Sequence, residues 1–442
     1  MKRPTVFAAF ACSLTLTAPR VGSIPYEDAK PILEAHGKAM SAAEWSRWVS
    51  ARDAAIRARL IQGDEDSIVN LWLYGTSFTR LPRVTDRTAA QLAAREAIED
   101  LLVARLDDFV SALKSPGTNE RLRFVRELVT GKGIDLTTAA GRAQAEAYLI
   151  GIRERAIREH SELRGAAGTP SAYATLYRDR GLSTDTRLTA SFAIDRALAA
   201  LAEAGGVQAG TVARIAIVGP GLDFTDKAEG FDFYPPQTIQ PFAIVDSLTR
   251  LKLAAAAGLR VTTFDLSPRV NGHLASARRR ALSGASYVIQ LPLAKDQPQH
   301  EWHPDLVAYW QRVGMTIGKT VAPVPPPAIA GDVRVRAVAV RPSIVAALTP
   351  EDVNIVVERL DPIQDAERFD LIVATNVLVY YDAFEQSLAL ANISSMLKPG
   401  GFFLTNYAVA PPPPMETTAS QTTAVYFDTQ QNGDTIYAYR RR

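Results

Sequence analysis

After Gly210 the sequence alternates between short β-rich runs and longer helical runs, and this alternation constrains the fold more than any other feature. ARIAIVG and LRVTTFD are typical of buried strands, and TIQPFAIVDSLTRLKLAAAAG between them has a helical pattern. Further along, FDLIVATN predicts a strand that is followed by a helix and by the strand GFFLTN. Strands that alternate with helices form an open, mostly parallel sheet covered by helices. We therefore expect an α/β fold in this half of the chain.

The C-terminal tail has a different pattern. AVYFDTQQNGDTIYAYRR contains two alternating runs on either side of Asn432-Gly433. An Asn-Gly pair favours a tight hairpin turn because both residues tolerate positive φ. The tail therefore predicts an antiparallel hairpin at one edge of the sheet.

From Tyr26 to about Gly206 the pattern is helical throughout. In AIEDLLVARLDDFVSALK, for example, apolar residues recur at steps of three and four and so share one helix face. We expect an all-α domain at 24–206 and an α/β domain at 207–442. The helical region has no motif to which chemistry can be assigned, so its expected role is a substrate-side cap or an interaction surface. Its tryptophans either line a groove or pack in the core, and the second is more common; they are Trp45, Trp48 and Trp72.

Residues 1–23 have the features of a leader. Lys2 and Arg3 precede the apolar run VFAAFACSLTLTA, and the small residues of VGS follow it. This order is typical of a secretory signal, and the run is too short to span a bilayer stably. The expectation is export or membrane tethering; the alternatives are a buried first helix or a frayed terminus of a cytoplasmic protein. No later segment is apolar for long enough to span a membrane.

Composition excludes several classes of function. A net charge of +2 over 442 residues gives no general affinity for nucleic acid. The only cysteine is Cys12, which removes disulfides and thiolate zinc sites. HEWH at 300–303 does not have the HExxH spacing of a zinc helix, and capping of the next helix is the simpler interpretation. We therefore expect no metal.

Residues able to bind a ligand follow the predicted strands. In an open α/β sheet, ligands bind beyond the carboxyl ends of the strands, where the strand order reverses. A glycine turn lets a ligand approach the backbone closely, and an acid at the end of the second strand can accept two ribose hydroxyls. The residues that this rule brings together are Gly219, Gly221, Asp265, Glu358 (from the run VNIVVERL), Thr375 and Asn376.

The turn itself discriminates between two nucleoside cofactors. A dinucleotide site requires a third glycine and a helix N-terminus for the pyrophosphate, with an acid about 20 residues later. Here Phe224 replaces that glycine, Asp223 would oppose a pyrophosphate, and Asp265 lies 44 positions after Gly221. S-adenosylmethionine has no phosphate and has a sulfonium cation, which Asp223 tolerates. The extra segment, TDKAEGFDFYPPQT, predicts a long loop over the mouth of the pocket.

The C-terminal stretch FDLIVATNVLVYYDAFEQSLALANISSMLKPGGFFLTN resembles class I S-adenosylmethionine-dependent methyltransferases with a Rossmann-like fold. It is most similar to the chemotaxis-receptor methyltransferase type, in which a strand ending in Asn-Val-Leu, a tyrosine pair and a later L-x-P-G-G recur. With IAIVGPG and VTTFD, the resemblance covers residues 212–442. It implies a seven-stranded sheet, a cofactor held by the Gly219/Gly221 loop and Asp265, and a methyl group that faces Thr375-Asn376.

Two departures from that family modify the expectation. Ile217 or Val218 stands where such families often place an acid just before the glycine loop, so Asp223 is the candidate that replaces its contact to the methionine amine. The Asn-Pro-Pro-Tyr signature of amino-group methylation is absent at Asn376, which favours an oxygen or carbon acceptor. A hydroxyl acceptor requires a base; the candidates are Tyr380, Tyr381 and Asp232, and the tyrosines are alternatively packing aromatics.

Two other functions remain possible at this stage. A non-catalytic protein could keep the fold as a nucleoside-binding or interaction module; in an interaction module Gly219 and Gly221 would form an empty turn. An NAD-dependent oxidoreductase is the third possibility, although it lacks the third glycine. The sequence does not name the methyl acceptor.

Overall fold

The computed structural model describes the chain from residue 20 to its C-terminus with several gaps. The described residues are 20–85, 91–92, 94–165, 181–183, 185, 188–224, 231–255, 257–294, 302–361, 363–426 and 433–442. Most of the expected leader, residues 1–19, therefore lies outside the described residues.

The N-terminal region contains one short strand followed by helices. These elements are β1 (Arg20–Ser23), α1 (Tyr26–Ala35), α2 (Ala42–Ala58), α3 (Leu60–Tyr74), α4 (Arg95–Lys114), α5 (Glu120–Gly131), α6 (Ala139–Gly165) and α7 (Leu188–Glu203). Two of the three tryptophans that could have lined a groove, Trp45 and Trp72, are buried core residues. The third, Trp48, stacks on Trp45 with ring centroids 5.1 Å apart.

Strands and helices alternate in the rest of the chain. They are β2 (Arg214–Val218), α8 (Gln240–Arg250), β3 (Arg260–Asp265), α9 (Pro268–Leu282), β4 (Tyr287–Ala294), α10 (Pro304–Arg312), β5 (Gly318–Val321), β6 (Val333–Val340), α11 (Pro342–Ala346), β7 (Leu348–Asp352), β8 (Glu358–Asp361), β9 (Phe369–Ala374), α12 (Ala383–Met396), β10 (Leu397–Thr405), β11 (Met415–Val425) and β12 (Gly433–Arg441).

A large central sheet organises these elements. Within the described residues it has seven strands in the order β11-β12-β10-β9-β2-β3-β7. Neighbouring strands from β10 to β7 are parallel, whereas β12 is antiparallel to both β10 and β11. The chain leaves β2 toward β3 and β7 on one side and returns to β9 and β10 on the other. The mixed α/β architecture with a large sheet is confirmed, and its strand order reverses between β2 and β9.

The tail forms a hairpin at one edge of this sheet. β11 and β12 pair antiparallel, with Val425 opposite Gly433 at the turn. Asn432 of the predicted turn lies outside the described residues.

Two smaller sheets were not anticipated. β4, β5 and β6 lie between α9 and α11 in the sequence and form an antiparallel sheet in the order β4-β6-β5. In the second small sheet, β1 pairs antiparallel with β8. The run VNIVVERL is therefore not a strand of the central sheet. The strand beside β3 is β7, in which Asp352 is opposite Asp265, and residues 353–357, all buried and all apolar except Asn354, form a turn after it.

Each face of the central sheet has its own core, because side chains alternate along a strand. Ile215 and Ile217 of β2 pack with α7 and α8, whereas Val218 packs on the opposite face with α12. The second core also includes Leu33 of α1 and further residues of α2. The first helices are thus packed on the central sheet, and the domain division at 206/207 stays a prediction.

Candidate functional site

A cavity of about 310 Å³ opens at the carboxyl edge of the central sheet, where the strand order reverses between β2 and β9. It lies where ligands bind in open α/β sheets. Seven of the residues predicted from the sequence line it together: Gly219, Gly221, Asp265, Thr375, Asn376, Tyr380 and Tyr381.

The glycine turn after β2 forms one wall of the cavity. Gly219 and Gly221 have φ values of 65° and 67°, a region that residues with a Cβ rarely adopt. A Cβ on Gly219 would lie 2.8 Å from Cγ2 of Val377, and the Gly219 N–H donates to the Phe264 carbonyl at 2.8 Å. The turn therefore requires glycine for its conformation and for its packing.

Asp265 ends β3 and presents a buried carboxyl group to the cavity. Its Oδ1 accepts the Ser267 N–H at 2.8 Å. Burial raises the pKa of Asp265 to about 6, and hydrogen bonds from the backbone N–H groups of Ser267 and Gly221 partly oppose that rise. The group is consequently an ionised acceptor at neutral pH and becomes protonated in mild acid.

The residues after β9 form the facing wall. Thr375 is buried, and its Oγ1 accepts a hydrogen bond from Gln240 Nε2 at 2.7 Å. Asn376 has a φ of 57°, which asparagine tolerates better than most residues. Its N–H donates to Asn406 Oδ1 and its Oδ1 accepts from Asn406 Nδ2, each at 2.8 Å. This reciprocal pair fixes an otherwise exposed side chain at the cavity.

The two tyrosines differ in their availability for proton transfer. Tyr380 is half-buried, and its backbone carbonyl accepts from Arg59 Nη1 at 3.1 Å. Tyr381 is fully buried in the core, and burial raises the pKa of its hydroxyl well above the usual range. Both tyrosines line the cavity; because burial opposes ionisation of Tyr381, the more exposed Tyr380 is the better candidate base.

Three expected site residues lie elsewhere. The buried Asp223 accepts from the Tyr234 hydroxyl and from Gln237 Nε2, each at 3.0 Å, and is not among the residues that line the cavity. Glu358 begins β8, where its Oε2 accepts the Asn354 N–H at 2.7 Å. Its predicted position depended on treating VNIVVERL as a strand of the central sheet, and this was wrong.

Asp232 is the third. Its carboxylate accepts from Thr76 N at 2.7 Å and from Ser77 N at 3.0 Å, and the hydroxyls of both residues also donate to it. Phe231 and Tyr234 beside it are buried. Residues 225–230 lie outside the described residues, but 231–236 pack away from the cavity mouth instead of covering it.

Several lining residues come from parts of the chain that sequence patterns did not connect with the site. The N-terminal region supplies Leu60, Leu182, Ser183, Asp185, Thr189 and Ala190, and the C-terminal hairpin supplies Tyr426 and Asp434. Gln240 at the start of α8 also lines the cavity. None of them belongs to a motif, and only the tertiary structure brings them to the glycine turn. Asp434 had a partial sequence signal, because it directly follows the predicted hairpin turn at Asn432-Gly433, and that hairpin was expected at one edge of the sheet.

The charge of the cavity is one-sided. Three aspartates line it, namely Asp185, Asp265 and Asp434, and its described lining includes no lysine or arginine. A cation is stabilised beside carboxylates, whereas a pyrophosphate would be repelled by them. The cavity is therefore suited to a positively charged ligand.

Other ligand classes find little support in the described residues. No group of three or more His, Cys, Asp or Glu side chains there could hold a metal ion. His303 of the HEWH segment caps α10, with its Nδ1 accepting the Asp305 N–H at 3.2 Å. In the same described ranges, no helix is both long and apolar enough to cross a bilayer.

Comparisons with known proteins give structural matches only. No protein-family model matches the sequence, and no curated protein matches it. One similar solved structure is a magnesium protoporphyrin IX methyltransferase from Synechocystis with bound S-adenosylmethionine, at 11% identity over 57% of this chain and 79% of that chain, with a TM-score of 0.26. Another is the N-methyltransferase NodS from Bradyrhizobium japonicum with S-adenosylhomocysteine, at 14% identity over 64% and 97% of the two chains, with a TM-score of 0.26.

TrmN from Thermus thermophilus also matches, at 12% identity over 58% of this chain and 53% of that chain, with a TM-score of 0.28. This chain thus spans about half the length of TrmN. At such identities and TM-scores the matches do not assign an activity, and the function has to be argued from the cavity itself.

Proposed function

We propose that this protein is an S-adenosylmethionine-dependent methyltransferase. One observation carries the proposal: the Asp265 carboxyl group and the Gly219/Gly221 turn line a single cavity at the point where the strand order reverses. An ionised carboxylate can accept both hydroxyls of a ribose, and the glycine turn lets the ligand contact the backbone.

The rest of the cavity supports a methyl donor of this kind. Val353 and Ile355, which follow β7, are buried apolar lining residues against which an adenine ring can pack. The three lining carboxylates favour a ligand with a sulfonium and an ammonium group. The same carboxylates disfavour NAD, because its pyrophosphate would meet negative charge with no arginine or lysine in the described lining.

For the transfer itself, we propose that the methyl group faces Thr375 and Asn376, both of which line the cavity. The acceptor atom attacks the methyl carbon, the carbon–sulfur bond breaks, and its electron pair stays on sulfur. Alignment of the two reactants provides most of the rate in such a step. The proposal also includes an oxygen or carbon acceptor of unidentified structure, with Tyr380 as the proton acceptor. It further includes the similarity of residues 369–406 to the chemotaxis-receptor methyltransferase type.

Calorimetric titration of the full chain with S-adenosylmethionine, S-adenosylhomocysteine and NAD tests the proposal. We expect binding of the first two and not of NAD, and a loss of at least about tenfold in affinity for Asp265→Ala, since hydrogen bonds to a charged group are lost. Asp352→Ala is the matched control, because Asp352 is opposite Asp265 in the sheet but does not line the cavity. NAD binding would favour the oxidoreductase, and binding of none of the three would favour the interaction module.

Export or membrane tethering through residues 1–23 also stays a proposal. S-adenosylmethionine is made and used inside cells, so a cleaved leader would favour a non-catalytic role. Mass spectrometry of the mature N-terminus distinguishes a processed chain from an intact one.

A further inference from the structure

The methyl donor brings an ammonium group into the cavity, and an ammonium group removed from water requires an acceptor. Strand β2 supplies no carboxylate, because Ile217 and Val218 before the glycine turn are buried apolar residues. Asp223 after the turn is bonded to Tyr234 and Gln237 and does not line the cavity. A carboxylate acceptor for the ammonium group therefore has to come from another part of the chain.

Two of the three lining carboxylates have positions that fit this role poorly. Asp265, which ends β3 beside the apolar turn after β7, is placed for the nucleoside end of the ligand. Asp434 is on β12, which β10 and β9 separate from β2. Asp185 remains.

Asp185 lines the cavity and is bonded to one of the N-terminal helices. The residue is only 9% exposed, and its Oδ2 accepts the hydroxyl of Ser67 in α3 at 2.9 Å. The nearby Leu182, another lining residue, belongs to the same apolar core as Val218 and Phe264, at the ends of β2 and β3. The N-terminal region thus contributes a buried carboxylate to a cavity that these strand ends also line.

Two glycines allow this close approach. A Cβ on Gly63 of α3 would overlap the Leu182 carbonyl group, and a Cβ on Gly181 would overlap the backbone of α3. The Leu182 N–H in turn donates to the Arg59 carbonyl at 3.1 Å. Gly181 and Leu182 are therefore packed directly on α3.

We propose that Asp185 binds the ammonium group of the methyl donor. This inference rests on the proposed function. It assigns a specific task to the N-terminal region, which supplies the carboxylate that the strand before the glycine turn lacks. A charge-assisted hydrogen bond between the two groups would stabilise the amino-acid end of the ligand and leave the nucleoside end unaffected.

The test compares three probes on the full chain by calorimetry: S-adenosylmethionine, S-adenosylhomocysteine and 5′-methylthioadenosine, which has the nucleoside but no ammonium group. For Asp185→Asn we expect roughly 10- to 100-fold weaker binding of the first two and a change of less than about twofold for the third. The amide retains an acceptor for Ser67. Asp265→Asn should weaken all three, Asp434→Asn tests the other carboxylate of the same cavity, and Asp352→Asn, which lies outside the cavity lining, is the matched control.

The other outcomes are distinguishable. If Asp185→Asn weakens 5′-methylthioadenosine as strongly as S-adenosylmethionine, the residue is only structural and the inference fails. If only S-adenosylmethionine is affected, the carboxylate faces the sulfonium, and the inference is wrong. A selective loss in Asp434→Asn instead would transfer the role to Asp434. If the wild-type chain binds none of the probes, the proposed function itself fails.

Discussion

At the scale of single residues, Gly219 combines two requirements, a positive φ and space beside Val377. We expect Gly219→Ala to destabilise the fold by ~1–2 kcal/mol, the cost of a left-handed residue with a Cβ, and also to weaken binding of S-adenosylmethionine. Gly210→Ala is the control, since Gly210 has a φ of 74° with no atom within 4 Å of an added Cβ. Thermal denaturation and calorimetry separate the two effects; equal affinities for the two variants would contradict a role of the turn in binding.

The raised pKa of Asp265 predicts opposite pH effects on binding and on stability. Binding to ribose hydroxyls requires the carboxylate, so affinity should fall by up to about tenfold per pH unit below the pKa of about 6. The contribution of Asp265 to the stability of the ligand-free protein should instead increase as the pH falls. Because the pKa of Asp265 in the folded protein lies above the ordinary value for an aspartate, this group contributes stability that is complete below the unfolded pKa and is lost as pH rises through about 6.

Titrations between pH 5 and 8, with melting curves over pH 3.5 to 8, measure both effects. Asp265→Asn should remove the part of each pH dependence, of affinity and of melting temperature, that the Asp265 carboxyl group contributes. An affinity that does not change between pH 7 and pH 5 in the wild-type chain would show that the ionised carboxylate does not contact the ligand.

At the scale of elements, β1 links the start of the described chain to β8. Arg20–Ser23 pair with Glu358–Asp361, and the following Ile24 is buried, with its N–H donating to the Val357 carbonyl at 2.9 Å. A chain that starts at Ile24 should therefore melt at a lower temperature than one that starts at Arg20, because four paired residues are lost. Identical melting temperatures would mean that β1 does not stabilise the fold.

Helix α12 illustrates what local sequence can predict. Asp382 and Glu385 have the three-residue spacing of a capping box. In the structure Asp382 Oδ1 accepts the Glu385 N–H at 2.9 Å, and Glu385 Oε2 accepts the Asp382 N–H at 3.0 Å. Such a cap involves residues three apart, so nearby sequence contains it. VNIVVERL shows the opposite case: its apolar residues are buried in a turn, and composition cannot distinguish this from a buried strand.

At the scale of the whole molecule, the N-terminal helices and the central sheet are energetically connected. Trp45 of α2 shares a core with Phe264 of β3, and Arg269 of α9 donates to Asp64 of α3 at 2.8 Å. We expect calorimetry to record one cooperative unfolding transition. S-adenosylmethionine at 100 times its Kd should stabilise the fold by about 2.7 kcal/mol and shift that transition as a unit. Two transitions, with only one responding to ligand, would contradict this coupling.

The sequence by itself determined the alternation of strands and helices, the C-terminal hairpin, and the arrival of Gly219, Gly221, Asp265, Thr375 and Asn376 at one cavity. These features follow from local periodicity and from the rule that parallel strands present their carboxyl ends at one edge. Only the tertiary structure decided that Asp223, Asp232 and Glu358 bind other partners, and that Asp185 and Asp434 line the cavity. Their positions depend on contacts between segments far apart in the chain, and side-chain periodicity contains no information about which distant surfaces meet.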